Sequence, residues 1–393
     1  PAWRSRSSMI TIWAWTAVRN AFATSRRFQG GLLVMSIEPR AAWFASHGFA
    51  FASVDVRGRG NSGGDFEPFV HDGEDGYDVV EWLAKQPFCD GKVAMWGGSY
   101  LGLDQWATAA RAPPHLATIV PAAASYAGLR FPMVDDVFDN YALRWLTLTS
   151  GKTDNDKLFS DDAFWRAKFT DAFVRHVPYQ DLDVLVGNRS TIWRTWIAHP
   201  THDAYWSKLA PTTSQYAAIQ FPVLSITGQY DAAEVSTLTR YREHLQAGGD
   251  DWLVIGPWDH GGTRNPQRDV GGLTFGDASL VDMNELHRAW YAFTMQNAAR
   301  PRFLANRVVY YVAGDETWRS IDALAHATTA TTTLYLGGPA RGVYASGTLS
   351  SSKTRASSAS STAAAAAAAR SDSYAYDPLD VRPAEREQTK IVH

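Results

Sequence analysis

Three residue types far apart in this chain could together hydrolyse an acyl bond. Ser99 lies in "KVAMWGGSYLG" (92–102), Asp231 ends "VLSITGQYD" (223–231), and His260 ends "LVIGPWDH" (253–260). A serine hydroxyl is a weak nucleophile until a base takes its proton. The imidazole that does so needs a carboxylate to hold its tautomer and balance its charge. Each of the three follows a short apolar run that reads as a strand. That predicts side chains at the carboxyl ends of successive strands, in the chain order serine, acid, histidine. Asp259 is an alternative acid, but it adjoins His260 and is poorly placed to reach that ring's Nδ1.

The turn around Ser99 departs from the generic G-x-S-x-G pattern. Gly97 and Ser99 fit, Leu101 takes the place of the second glycine, and Gly102 follows one residue late. The context is nevertheless strand, turn, helix. The helix start behind Ser99 offers the Tyr100 backbone N–H and a positive dipole end to an oxyanion. The same residues would also suit a tight turn without chemistry, so the partners decide between the two.

The elements that must position these residues are legible from periodicity. "FAFASVDV" (49–56) reads as a buried parallel strand. "EDGYDVVEWLAKQP" reads as a helix, with Asp75 a candidate cap and Pro87 its end. Then come strand "KVAMW", a helix over 100–111 and a strand over 116–124. Residues 130–215 are rich in Trp, Phe and Asp without clear strands, and read as a helical insertion. Strand 222–227, helix 234–246, strand 251–257 and a helix over roughly 279–296 complete an α/β body. "RVVYYVAG" and "TTTLYLGG" open a strand-rich part, and 345–371 is a Ser/Thr/Ala tract that cannot build a packed core.

Composition narrows the partners. The 393 residues carry a net charge of −3 and a hydrophobic content of 45%, which fits a soluble globular protein and gives no sign of nucleic-acid or membrane binding. The single cysteine, Cys89, excludes an internal disulfide or a cysteine-rich zinc site. The opening "PAWRSRSSMITIWAWTAVRNAFATS" has early arginines, an apolar patch and "AFA" at 21–23. These are features of a secretory signal, but they are also compatible with a leading β-hairpin or the start of an incomplete chain. The lone cysteine points to a cytoplasmic protein. A homo-oligomer is compatible with the composition.

"VDVRGRGNSGG", "DGYDVVEWLAKQPFCDGKVAMWGGSYLG", "TGQYD" and "GPWDH" together resemble the CocE/NonD hydrolases, the cocaine esterase and X-prolyl dipeptidyl aminopeptidase group. In that group the late glycine of the elbow is usual. The resemblance runs from about residue 41 to 340. It implies an α/β-hydrolase core (1–129 and 216–300), a helical cap (130–215) and an incomplete C-terminal jelly-roll domain (301–393). It also implies Ser99 as nucleophile, Asp231 as acid and His260 as base. The substrate would be a small ester or amide or a short peptide, and no metal or organic cofactor would be needed. The family usually has a tyrosine after the proline of a loop that follows an early strand, as a second oxyanion donor. Here Arg40 follows Pro39, which makes Arg40 the substitute candidate. A lost donor costs about 3 kcal/mol of transition-state stabilisation. An impaired hydrolase domain acting as a binding scaffold is therefore the rival expectation.

Other features are weighed alongside. "VRGRGNSGG" resembles a phosphate loop without its Gly-Lys-Ser/Thr ending, and a tight turn with Arg57 or Arg59 paired to acids is the simpler reading. "HPTHD" (199–203) makes a poor metal site. In the cap, Trp145 and Trp165 are the candidate pocket walls among Phe138, Trp193 and Trp196. Asp135, Asp136 and Asp139 could meet a substrate amine or simply face solvent.

Overall fold

The computed structural model describes residues 6–12, 32–60, 62–328, 330–337 and 348–352. Most of the signal-like opening and most of the Ser/Thr/Ala tract fall outside these residues. The chain divides into two compact units, 1–322 and 323–393.

The first unit is built on an eight-stranded sheet. In chain order its parts are β1 (Arg6–Ile12), α1 (Leu32–Ser46), β2 (Ala50–Val54), α2 (Asp72–Ala84), β3 (Cys89–Gly98), α3 (Tyr100–Ala109) and β4 (Leu116–Ala122). The cap follows, with β5 (Met133–Val134), β6 (Val137–Phe138), α4 (Asn140–Leu148), α5 (Asp156–Phe159), α6 (Asp162–Val174), α7 (Leu182–Leu185), α8 (Thr191–Ile197), α9 (Ala204–Ser207) and α10 (Thr213–Ala218). The body resumes with β7 (Val223–Gly228), α11 (Glu234–Gln246), β8 (Asp251–Gly256), the short pair β9 (Asp269–Val270) and β10 (Leu273–Thr274), α12 (Met283–Gln296), β11 (Val308–Val312) and β12 (Thr317–Ile321). The strand order is β12-β11-β8-β7-β4-β3-β1-β2, and all neighbours are parallel except β11 and β12.

A parallel sheet must be covered on both faces, which the apolar strands here require. Along β3 the side chains alternate. Trp96 joins Phe44 of α1 and Leu286 and Trp290 of α12 on one face. Met95 joins Val79, Val80 and Leu83 of α2 and Trp106 of α3 on the other. The helices on that second face approach closely because α2 carries glycines. A Cβ on Gly76 would overlap Thr108 Oγ1, and one on Gly73 would sit 2.7 Å from the Ala107 carbonyl oxygen.

The cap has its own core, in which Trp145, Trp165, Trp193, Trp196 and Trp206 are all buried. Short helices leave a large share of their N–H groups without partners. Here side chains answer: Asp139 accepts from the Tyr141 N–H, Asp161 from Phe164, Ser190 from Trp193, Asp203 from Tyr205, and Thr212 from Gln215.

Four expectations need correcting. The opening residues 6–12 are not part of a hairpin: β1 lies parallel between β2 and β3. Asp75 does not cap α2, which starts at Asp72; its carboxylate pairs with Arg57 instead. Pro39 and Arg40 lie inside α1, not on a loop after a strand. Finally, the chain does not leave the central sheet at 301. β11 pairs parallel with β8 (Val308 opposite Leu253) and β12 closes the edge antiparallel, because Val308, Val309 and Tyr311 bury against the body. In the second unit, β13 (Tyr335–Gly337) and β14 (Thr348–Ser350) pair antiparallel.

The close α2–α3 contact makes Gly76→Val a sensitive probe. It is expected to lower the unfolding free energy by about 2 kcal/mol through overpacking. Gly63→Ala, where nothing lies within 4 Å, is the control and should shift the denaturation midpoint little.

Candidate active site

The sheet register sets the site. Gly98 is opposite Ala122, Ala122 opposite Ile226, and Gly228 opposite Gly256. The carboxyl ends of β3, β4, β7 and β8 therefore form one row. Ser99, Asp231 and His260 all leave from that row.

Ser99 occupies a conformation with φ 63° and ψ −123° between β3 and α3. For a residue with a side chain this is strained, on the order of 1–3 kcal/mol. The surroundings fix it. The Ser99 N–H donates to the Ala122 carbonyl at 2.9 Å, and the Ser99 carbonyl accepts from Gly102, Leu103 and Ser125. Buried Gln105 donates to the Gly97 and Leu101 carbonyls and accepts from the Val120 N–H, all near 3 Å. The late glycine has a steric reason: a Cβ on Gly102 would stand 2.9 Å from Ala124 Cα and Cβ. The Tyr100 N–H, at the first turn of α3, has no acceptor among the described residues.

Asp231 and His260 are joined. His260 Nδ1 lies 2.7 Å from Asp231 Oδ1, which also accepts the Ala233 N–H. The Asp231 carboxylate is fully buried, whereas the imidazole is 39% exposed. Asp259 is engaged elsewhere, accepting the Gly262 N–H at 2.7 Å and so tying the turn after His260. Buried Trp258 underlies that turn and donates to the Ser279 carbonyl. Among the described residues no hydrogen bond joins Ser99 Oγ to His260. Such contacts commonly tighten only when substrate is bound.

The turn after His260 reaches back over the elbow. Arg264 Cδ lies 2.7 Å from where a Gly98 Cβ would be, so glycine beside the serine leaves room for that side chain. The Arg264 guanidinium makes no hydrogen bond or ion pair with a described residue. Burial pushes its pKa down, while Asp231, Tyr141 and Asp259 act to raise it. Arg40 is next to it. Its guanidinium lies over Trp96 at 4.2 Å and donates to Asn284 and Asn265. Burial and the Arg264 charge lower Arg40 to about 10. Residues 13–31, which follow β1, lie outside the described residues.

Of the pocket candidates, Trp145 packs edge-on against Tyr100 at 5.5 Å, whereas Trp165 sits inside the cap and donates to the Leu158 carbonyl. The cap aspartates have local duties: Asp139 caps α4, Asp136 accepts the His202 N–H, and Asp135 lies 3.9 Å from Arg130. In "HPTHD", His199 pairs with Asp203, while His202 faces the Gly128 carbonyl. The glycine-rich loop spends four of its N–H groups internally or on the cap. Gly58 donates to Gly63, Arg59 to Val56, Ser62 to Arg59, and Gly60 to the Lys152 carbonyl.

Comparison with known proteins agrees with this layout. A family model described as X-Pro dipeptidyl-peptidase (S15 family) matches residues 9–262, a span that contains all three candidate residues. The chain belongs to the S15 family. Cocaine esterase from a Rhodococcus strain is 27% identical over 359 residues, covering 87% of this chain and 59% of that protein. The S15 chain thus spans less than two thirds of that relative's length. Among solved structures, an α-amino acid ester hydrolase aligns with TM-score 0.67 and 18% identity, over 90% of this chain and 60% of that one. An aminopeptidase from a marine-sediment Thaumarchaeota archaeon aligns with TM-score 0.64 and 22% identity, over 81% and 55%. These likenesses establish the α/β-hydrolase fold. No described helix is long and apolar enough to cross a membrane.

Sequence reading missed Gln105, Arg264 and the carboxyl pair Asp72–Asp104. Only the polar character of 104 and 105 within an otherwise apolar helix start signalled the buried ones.

The strain at position 99 is measurable. Ser99→Gly should be more stable than Ser99→Ala by about 1 kcal/mol in chemical denaturation, because only glycine relieves this backbone conformation.

Proposed function

We propose that this S15 chain is a serine hydrolase that cleaves an ester or amide through an acyl-enzyme. Ser99 is the nucleophile, His260 the base and Asp231 the residue that orients it. The 2.7 Å contact between His260 Nδ1 and Asp231 Oδ1, in the row from which the strained Ser99 also leaves, carries this reading.

In this mechanism His260 Nε2 takes the Ser99 proton as Oγ attacks the carbonyl carbon. Buried Asp231 holds the Nδ1–H tautomer and balances the imidazolium that forms. The Tyr100 N–H and the start of α3 meet the negative oxygen. His260 then protonates the leaving group, and water repeats the cycle on the acyl-enzyme. The substrate class is a small ester or amide or a short peptide. Esters are favoured by the relative that covers most of this chain, which is named an esterase. The scaffold reading retains one observation in its favour: Ser99 Oγ is not hydrogen-bonded to His260 among the described residues.

A fluorophosphonate probe should label Ser99 in the folded protein, and Ser99→Ala should abolish labelling. Absence of labelling in protein with an intact circular dichroism spectrum would establish the scaffold reading. Against p-nitrophenyl esters, His260→Ala should reduce kcat by about a millionfold and Asp231→Asn by about ten-thousandfold. A turnover of Gly-Pro-p-nitroanilide exceeding that of every ester would replace the esterase preference with a peptidase one.

A further inference from the structure

Below the oxyanion donor, two carboxyl groups meet with too few protons on their neighbours. Asp72 stands in the first turn of α2, and Asp104 lies one helical turn after Tyr100 on α3. The Tyr100 hydroxyl donates to Asp72, 2.9 Å from each carboxylate oxygen, and the Phe69 N–H donates to Asp72 Oδ2 at 2.9 Å. The Asp104 and Asp72 carboxyls bear on each other across the close α2–α3 contact. Asp104 is 1% exposed, and neither of its oxygens receives a donor among the described residues.

An ionised carboxylate in that position would be a buried charge without compensation, beside a second one. A carboxylic acid there donates its O–H to Asp72 and leaves no charge unpaired. One proton held on Asp104 would leave the charge on Asp72, where the Tyr100 hydroxyl and the Phe69 N–H already donate. Burial and the neighbouring Asp72 raise Asp104 well above the ordinary range. Burial raises Asp72 only to about 6, because Tyr100, Asp104 and Phe69 donate to it. The outside charge bearing on Asp72 is Asp75, which is itself paired with Arg57. From the loop and the cap, Tyr100 is faced by the uncharged rings of Phe66, Phe69 and Trp145.

We propose that Asp104 and Asp72 are positioning residues for the reaction at Ser99: their shared proton anchors Tyr100, whose N–H meets the oxyanion, and loss of that proton sets the alkaline limit of activity. This rests on the nucleophile assigned to Ser99. When hydroxide removes the Asp104 proton, two carboxylates face each other without a bridging hydrogen, and their repulsion loosens the first turn of α3.

Two measurements test this. In wild type, kcat for an ester should fall at alkaline pH. Asp104→Asn keeps a donor toward Asp72 at every pH, so that fall should move up by more than one pH unit or vanish. Asp72→Asn, which leaves one carboxyl, should do the same and serves if the first variant misfolds. An alkaline fall unmoved in both variants overturns the proposal. Infrared spectroscopy should show a protonated carboxyl band at pH 7 that is lost in Asp104→Asn. Absence of that band in wild type also overturns the proposal. Should the fluorophosphonate fail to label Ser99, the assigned function fails by itself, and the infrared band alone then decides where the proton resides.

Discussion

The bend at Ser99 is the constraint around which the rest of this molecule is arranged. A strand in the middle of a parallel sheet must stop, turn sharply and start a helix without shifting its neighbours. The turn costs strain, and the strain persists only because hydrogen bonds from β4, Ser125 and Gln105 leave the backbone no other place to go. Small residues around it follow from the same geometry. Gly98 leaves room for Arg264, and Gly102 lets α3 approach Ala124. The gain is position: a side chain at the tip of such a bend stands at the row of strand ends from which Asp231 and His260 also leave.

Charge around that row is distributed unevenly. Asp231 is buried, with one oxygen serving two donors and the other unpartnered among the described residues. Arg264 stands nearby without a hydrogen-bond partner among the described residues, and Arg40 behind it donates to two asparagines and lies over an indole face. In a region of low dielectric these groups act over longer range than they would in water. A cation against the elbow balances the buried carboxylate without pairing to it directly, which leaves Asp231 available to the imidazole.

Much of this was legible in the sequence, for reasons that can be named. Helix 234–246 and the strands at 223 and 251 are bounded by glycine, proline and charged residues, and their apolar periods are unambiguous. The addresses of Asp231 and His260, each just after such a strand, followed from chain order. Arg40 was misplaced because proline inside a helix runs against the usual rule, yet α1 continues through Pro39. β11 and β12 were assigned to a separate domain because an edge strand pairing with β8 has the same local pattern as a strand in a new sheet. Asp72 and Asp104 could not be connected, since 31 residues of helix, strand and turn separate them and only the glycine-lined α2–α3 contact brings them together.

The glycine-rich loop shows how the same physics joins body to cap. Its arginines read as partners for acids, and the structure gives Arg57 to Asp75 and Arg59 to Asp154. Arg59 also donates to the carbonyls of Thr149 and Gly151, and Lys152 returns a bond to the Ser62 carbonyl at 2.6 Å. A loop that bound phosphate would keep its N–H groups pointing outward and unspent. This one spends the N–H groups of Gly58, Arg59, Gly60 and Ser62 on its own turn and on the cap, and Gly58 serves the close backbone approach of Phe66. The cap is thereby fastened beside Phe66 and Phe69, the rings that also face Tyr100. Because Tyr100 follows Ser99 directly, the docking of the cap and the position of Ser99 are set by one continuous set of contacts.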